Sequence, residues 1–382
     1  MDSTDWPFNS HLVGGMHAHV PIQFANGSTW LARMPRHNFT SFSDQLSNAI
    51  LLQECATLKW LETAKIPAPR LHAYGLRGDA NNNVGVAFML IDKLPGRPLS
   101  QLTATDDQMR KVYAQLGSIF TMLSRHPFDR IGSLTLGKDE TIQIGPVMGD
   151  RTGTLSCLGL FQDATSYYVA WVNELLRLIA SRQIFARFSS HAYMMFKYLG
   201  ELAADGSCNG FEAELDAGPY FLKHMDDKGD HILVDEDFNM TGIIDWSFAR
   251  LVPAYEAFGP SLVTANMSDV FSGRLGLSDR DHLLADALEA RGSPLARFAR
   301  SADRVRRFTF GLGVGMSPDL SETQAIFRGI VLTFNQGSEF SWEQWRREHI
   351  LKWSDDEVLG MLLREDAAEG PGVHDATCFR PE

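Results

Sequence analysis

The sequence predicts an α+β protein of two unequal lobes, a small β-rich lobe over residues 1–95 and a larger, mainly helical lobe over 96–365. Three observations lead there. Residues 18–94 carry strand-like runs around a single helical segment. After Pro95-Gly96 the apolar spacing changes to the three- and four-residue steps of helices. One short block, 219–245, returns to strand character inside the helical part. At 382 residues the chain is long for one core and ample for two lobes.

Each element follows from local chemistry. His19–Phe24 and Thr29–Arg33 are rich in strand formers, and Asn26-Gly27 between them is a hairpin turn. Over 44–64, Leu46, Ile50, Leu51, Cys55, Leu58 and Leu61 recur at helical steps. That helix must stop before Pro67 and Pro69, which cannot continue it. Strands are expected at Arg70–Tyr74 and Val84–Leu94, joined by the polar stretch Gly78–Asn83. Beyond Gly96, Thr105-Asp106-Asp107-Gln108 is a capping box, and Met109, Val112, Leu116, Ile119 and Leu123 form an apolar stripe behind it. Helices are expected at 165–180, 187–203, 278–291, 294–310, 321–335 and 341–365, the last opened by a second capping box, Ser341 to Gln344. From Asp366 the chain is acidic and contains Gly and Pro, which predicts a flexible tail over 366–382.

A formal charge of −12 argues against a protein that grips nucleic acid by neutralising phosphates. The four cysteines, Cys55, Cys157, Cys208 and Cys378, are scattered without metal-binding spacing and point to a reducing compartment. No apolar run approaches the roughly 20 residues of a membrane span. The N-terminus lacks a basic stretch followed by an apolar one, so no secretory leader is expected. The expected protein is soluble and cytoplasmic, with no nucleic-acid or membrane partner.

The informative stretch is Tyr220–Trp246. Ile232-Leu233-Val234 and Ile243-Ile244 are short apolar strands, and Asp235–Asn239 reads as the turn between them. Such a hairpin carries the loop ahead of its first strand to the end of its second. Asp226, His231 and Asp245 then converge. Carboxylates on loops anchored by buried strands suit divalent-metal and phosphate chemistry. Asp245 also follows an apolar Ile-Ile run, where a carboxylate without a partner is costly.

His224-Met225-Asp226, His231 five positions on, a short apolar strand, and then Ile243-Ile244-Asp245-Trp246 resemble the signature of the aminoglycoside phosphotransferase and choline-kinase-like enzymes. The chain is similar to fungal members of that family over roughly residues 10–265, most strongly over 220–262. The resemblance implies a bilobal protein-kinase-like fold. It implies ATP and Mg²⁺ as cofactors and a small molecule bearing a hydroxyl as acceptor of the γ-phosphoryl. By the same likeness Asp226 is the catalytic carboxylate, Asp245 holds Mg²⁺, and His224 braces the loop. The family has Asn where this chain has His231, and commonly Gly where it has Met225. Imidazole can ligate a metal, but Mg²⁺ prefers oxygen, so Asp230 is a second candidate for that ligand position.

The small lobe supplies independent candidates. A kinase needs a strand cation to grip nucleotide phosphates and a helix Glu to hold that cation. Arg33 and Glu54 occur in that order. Protein kinases use Lys there, whereas Arg is planar and always charged. Gly14-Gly15, ahead of the first strand, is the candidate loop over the phosphates. Phe88–Gly96 resembles the hinge between lobes, with backbone groups near Asp92 and Leu94 placed to bind adenine. Trp246–Leu262 matches the family's lobe-packing segment and reads as scaffold. Tyr167, Tyr168 and Trp171 share one helix and read as core packing, with a substrate pocket as the other reading. His282 and His349 read as surface or helix residues.

Two other functions use the same residues. His231 and Arg33 also suit a pseudokinase that binds nucleotide or a partner without turnover. A metal-dependent hydrolase would take His224, Asp226, Asp230, His231 and Asp245 as a two-metal site.

Overall fold

The computed structural model describes residues 16–36, 43–148, 157–208, 213–301, 303–314, 319–335 and 339–369. The small lobe is an antiparallel sheet of four strands, β1 (His17–Gln23), β2 (Thr29–Pro35), β3 (Leu71–Gly75) and β4 (Phe88–Asp92), in the order β1-β2-β4-β3. The β1-β2 hairpin turns where Asn26-Gly27 predicts. Gly27 takes φ 85°, and the Asn26 side chain accepts the Ser28 N–H at 3.0 Å. Helix α1 (Asp44–Thr63) starts at Ser43, whose side chain accepts the Leu46 N–H. It lays Leu51, Cys55, Leu58 and Leu61 into the core. Strand β4 is shorter than the expected Val84–Leu94. The Asn82 amide donates to Leu76 O and Val86 O, both at 2.8 Å, and folds the preceding residues into a loop.

The crossing between lobes is tight. Gly96 has φ 99°, and a Cβ there would stand 2.6 Å from Val234 O. Next to it, β5 (Arg97–Pro98) pairs with β11 (Ile232–Val234), which pairs in turn with β12 (Met240–Ile243). The link between lobes is thereby tied to the hairpin that carries the informative loops.

The large lobe opens with α2 (Asp106–Leu123), and the Thr105–Gln108 capping box is formed in full. Four short strands then appear that the sequence reading missed: β6 (Ser133–Leu136), β7 (Ile142–Gly145), β8 (Val147–Met148) and β9 (Cys157–Gly159). They are too short for their alternation to stand out. Helices α3 (Ala164–Ala180) and α4 (Ser189–Ala204) pack on one another, and β10 (Tyr220–Lys223) pairs with β13 (Arg250–Pro253). The remainder is helical: α5 (Ala254–Ala257), α6 (Met267–Phe271), α7 (Asp279–Glu289), α8 (Ala296–Ser301), α9 (Asp303–Thr309), α10 (Leu320–Asn335), α11 (Trp342–Lys352) and α12 (Glu357–Glu369).

Three expectations need correction here. The expected helix over 294–310 is described as α8 and α9, and the chain then widens into a broader turn at Phe310–Val314, where Gly313 lies against Trp171. The helix over 341–365 breaks before α12, because Asp356 caps a new start by accepting the Leu359 N–H at 2.9 Å. Its opening box is half formed: Ser341 caps Gln344 N, but the Gln344 amide donates to Glu348. Further on, α12 runs past Asp366, whose carboxylate accepts the Ser190 N–H at 3.3 Å. Among the described residues no helix is long and apolar enough to cross a membrane.

Candidate active site

Arg33 points inward from β2 and is 3% exposed. Its guanidinium pairs with Glu54 of α1 and with Asp245 from the opposite lobe. It also donates to His17 Nδ1 at 3.0 Å and to Ser247 Oγ at 3.2 Å. Ser247 in turn donates to Glu54 Oε2 at 2.7 Å. Burial raises the Glu54 carboxyl and the Arg33 charge opposes that rise. Burial is the largest influence on Asp245 and pushes it upward, but Arg33 first, and then His17, His231 and His224, together hold this carboxyl well below the usual carboxylate range. His17 is held far below its ordinary value, by burial first and then by Arg33. It is neutral, and as the acceptor from Arg33 it carries its proton on Nε2.

The loop between β10 and β11 is fixed through rings and backbone. His224 is buried, and burial lowers its pKa. Its Nε2–H donates to Ile244 O at 2.8 Å, and its Nδ1 accepts the Asp226 N–H at 3.1 Å. His224 thus ties the loop to the strand end that leads into Asp245. His231 donates from Nδ1 to Asp226 O at 2.7 Å, while its Nε2 lies 3.6 Å from Asp245 Oδ2. Asp245 sits at φ 60° and Phe248 at φ 62°. The left-handed turn after β12 thereby aims a carboxylate into the cleft at a backbone cost of about 1–3 kcal/mol per residue. Met225 is not among the left-handed residues, so a side chain in place of the family's Gly strains nothing.

These groups face a cavity of about 580 Å³ between the lobes, a size suited to a nucleotide. Arg33, Glu54, Asp92, Leu94, Asp226, Asp230, His231 and Asp245 all line it. His224 lies behind the wall as the brace. Gly14 and Gly15 fall outside the described residues. At Asp92 the N–H donates to Arg70 O at 3.1 Å and the carboxylate meets His72 Nε2 at 2.6 Å. The Lys93 N–H likewise donates to Thr29 O.

Sequence reading missed three residues of this cavity. Lys228 stands 3.6 Å from Asp226 Oδ2 and 3.3 Å from Asp230 Oδ2. Its place two positions after Asp226, alone among acids, was the available signal. His17 and Ser247 gave none, since only folding brings them to Arg33.

The donor chemistry fits a divalent cation that arrives with phosphates. The lining holds five carboxylates (Glu54, Asp92, Asp226, Asp230, Asp245) against three permanent cations (Arg33, Lys93, Lys228), so a bound polyphosphate needs a further counter-charge. Asp230 Oδ1 is a buried carboxylate oxygen without a hydrogen-bond partner. Yet no three His, Cys, Asp or Glu groups among the described residues are gathered to hold a metal by themselves. Of the two expected partners for Asp245, His231 faces it while Asp230 turns to Lys228. The two-metal hydrolase arrangement is absent from the described residues for the same reason.

Behind the loop lies a second cavity of about 50 Å³, lined by Trp171, Met225, Asp227, Glu256 and Ser261 among others. Tyr167 and Tyr168 are core residues, as expected. Tyr168 donates to Glu256 Oε2 at 2.6 Å and Tyr167 accepts from Arg250 at 3.1 Å. Trp171 is buried too but also forms part of this cavity wall.

The chain is 27% identical over 216 residues to clavilactone A biosynthesis cluster protein Y of Ampulloclitocybe clavipes, covering 54% of this chain and 51% of that protein. It therefore spans about half the length of this curated relative. Among solved structures it resembles the GDP complex of an aminoglycoside 2′-phosphotransferase, at 16% identity and a TM-score of 0.45, covering 85% of this chain and 88% of that one. It also resembles an aminoglycoside phosphotransferase in ternary complex with ADP and hygromycin B, at 12% identity and a TM-score of 0.47, covering 86% and 93%. The model of the phosphotransferase enzyme family matches residues 29–298, well over half of the sequence, and this chain belongs to that family.

Proposed function

We propose that this chain is a small-molecule kinase that moves the γ-phosphoryl of ATP to a hydroxyl of its acceptor. The observation that carries the reading is the meeting of Arg33, Asp226 and Asp245 in one cavity between the lobes. Adenine would lie against the hinge at Leu94. Arg33, oriented by Glu54, would hold the nucleotide phosphates. Asp226 would accept the acceptor's proton as the new P–O bond forms and the bond to the leaving ADP breaks. Lys228, beside Asp226, would stabilise the charge on the transferred group. A divalent cation held by Asp245 with Asp230 or His231 would neutralise the phosphates. The acceptor would approach from the side of the second cavity, where Glu256 Oε1 and Ser261 Oγ are buried without partners.

The test is a metabolite extract incubated with γ-labelled ATP, comparing the native protein with Asp226→Asn. A labelled product that only the native protein makes supports the reading, and its isolation names the acceptor. Equal labelling by both proteins removes Asp226 from its role. One observation favours a second reading, binding without turnover: Arg33 already engages Asp245, the expected metal ligand. Nucleotide binding with no labelled product from any extract would select that reading.

A further inference from the structure

His231 replaces an amide with a ring, and the structure shows which of its nitrogens faces the cleft. Nδ1 lies 2.7 Å from Asp226 O. A carbonyl oxygen only accepts, so Nδ1 carries the proton and Nε2 of the neutral ring carries the lone pair. That lone-pair atom stands 3.6 Å from Asp245 Oδ2. Two donors bound to one ion at about 2.1 Å each lie no more than about 4.2 Å apart, so this separation is within the span of a shared ion. Asp245 accepts from Arg33 through its other oxygen, Oδ1, which leaves Oδ2 facing the ring. The carbonyl bond to Nδ1 is the kind of support that fixes the tautomer and orientation of a ligating imidazole. The ring is 13% exposed and cannot easily turn away.

We infer that His231 Nε2 and Asp245 Oδ2 form a mixed nitrogen–oxygen half-site that prefers a first-row transition ion, Mn²⁺ in the first instance, over Mg²⁺. Mg²⁺ demands near-ideal octahedral oxygen coordination and releases water reluctantly, whereas the first-row ions accept a mixed nitrogen–oxygen set with an affinity that rises along the series from Mn²⁺, its least demanding member. The nucleotide phosphates and water supply the remaining ligands, which agrees with the lack of a protein-only trio. This inference rests on the nucleotide-binding reading above.

The experiment uses the full chain with saturating ADP and Mn²⁺, read by electron paramagnetic resonance. Pulsed spectra should show nitrogen modulation from a directly bound imidazole, and His231→Asn should abolish it while retaining bound Mn²⁺. In competition, Mg²⁺ should displace Mn²⁺ from His231→Asn at a concentration about tenfold lower than from the native protein. His231→Gln checks that the loss follows the ring rather than one variant's folding, and the native spectrum stands even if both variants unfold. Bound Mn²⁺ and ADP without nitrogen modulation overturn the metal assignment alone. Failure of ADP to bind with any cation overturns the phosphotransferase reading and this one with it.

Discussion

The two walls of the cleft hold their charged groups by opposite means. On the small-lobe wall, Arg33 and Glu54 are nearly fully buried and fix each other head to head, with Ser247 and His17 completing the contacts. On the loop wall, Asp226 and His231 are fixed from behind, through the His224 ring and the Asp226 backbone, and present their side chains to the cavity. The difference teaches what each wall is built to do. A buried ion pair is rigid, and little of it can change during a reaction. A carboxylate anchored through its own backbone can take or give a proton without loosening the loop that carries it.

The sharpest way to break this contrast is on the loop wall. Asp226→Asn keeps the shape and the backbone bonds to His224 and His231, so its melting temperature should match that of the native protein. Its rate of phosphoryl transfer, measured with the acceptor found in the extract screen, should fall by about 10²–10⁴-fold. A retained rate would mean that this wall contributes position and not proton transfer.

The small-lobe wall should fail the other way. Glu54→Ala leaves Arg33 buried beside a single acidic partner, and removing one half of a buried pair costs about 3–5 kcal/mol. Urea unfolding should show that loss directly. A cost below about 1 kcal/mol, the range of exposed pairs, would erase the distinction between the walls.

Acidity tests both walls together, because each contains a histidine held neutral. An unfolded histidine takes up a proton near pH 6.5. Burial lowers His17 and His224 below that, and Arg33 adds to the effect at His17. Between the folded and unfolded values the unfolded chain binds more protons. Stability is therefore whole above about pH 6.5 and falls as the pH drops toward the folded values, by up to about 1.4 kcal/mol per pH unit for each ring. Melting curves from pH 7.5 to 5.5 should show this slope, and His17→Gln or His224→Gln should each flatten it. Burial lowers His191 and His349 in the helical region as well, so neither variant should remove the slope entirely.

Much of this was legible in the chain because local rules decided it. Asn26-Gly27 fixed a hairpin, Thr105–Gln108 a helix start, and the apolar residues ahead of Asp245 a strand, ending at the buried Ile243, that delivers a charge. What stayed hidden depended on distant partners or on small irregularities. Periodicity over 294–310 and 341–365 could not reveal that Asp356 would cap a fresh helix or that the chain would widen at Phe310. At the site, the Arg33–Glu54 pairing was readable from kinase order. The contacts of Arg33 with Ser247 and Asp245 were not, since more than two hundred residues separate them in sequence. The tautomer of His231 was equally hidden, because it is set by a carbonyl that only the folded loop brings near.

The smallest effect sharpens the comparison at the hinge, which belongs to neither wall. Backbone groups near Asp92 and Leu94 were expected to meet adenine; at Asp92 the N–H is bonded to Arg70 O and the carboxylate to His72. That carboxylate is 37% exposed, so the pair with His72 resembles a surface ion pair. Asp92→Asn should therefore cost only about 0.2–1 kcal/mol in urea unfolding. Calorimetric titration should show ATP affinity unchanged, because the substitution alters only a side chain bonded to His72 and the expected contacts near Asp92 and Leu94 are backbone ones. A large loss of affinity would mean that the Asp92 side chain itself contacts the nucleotide.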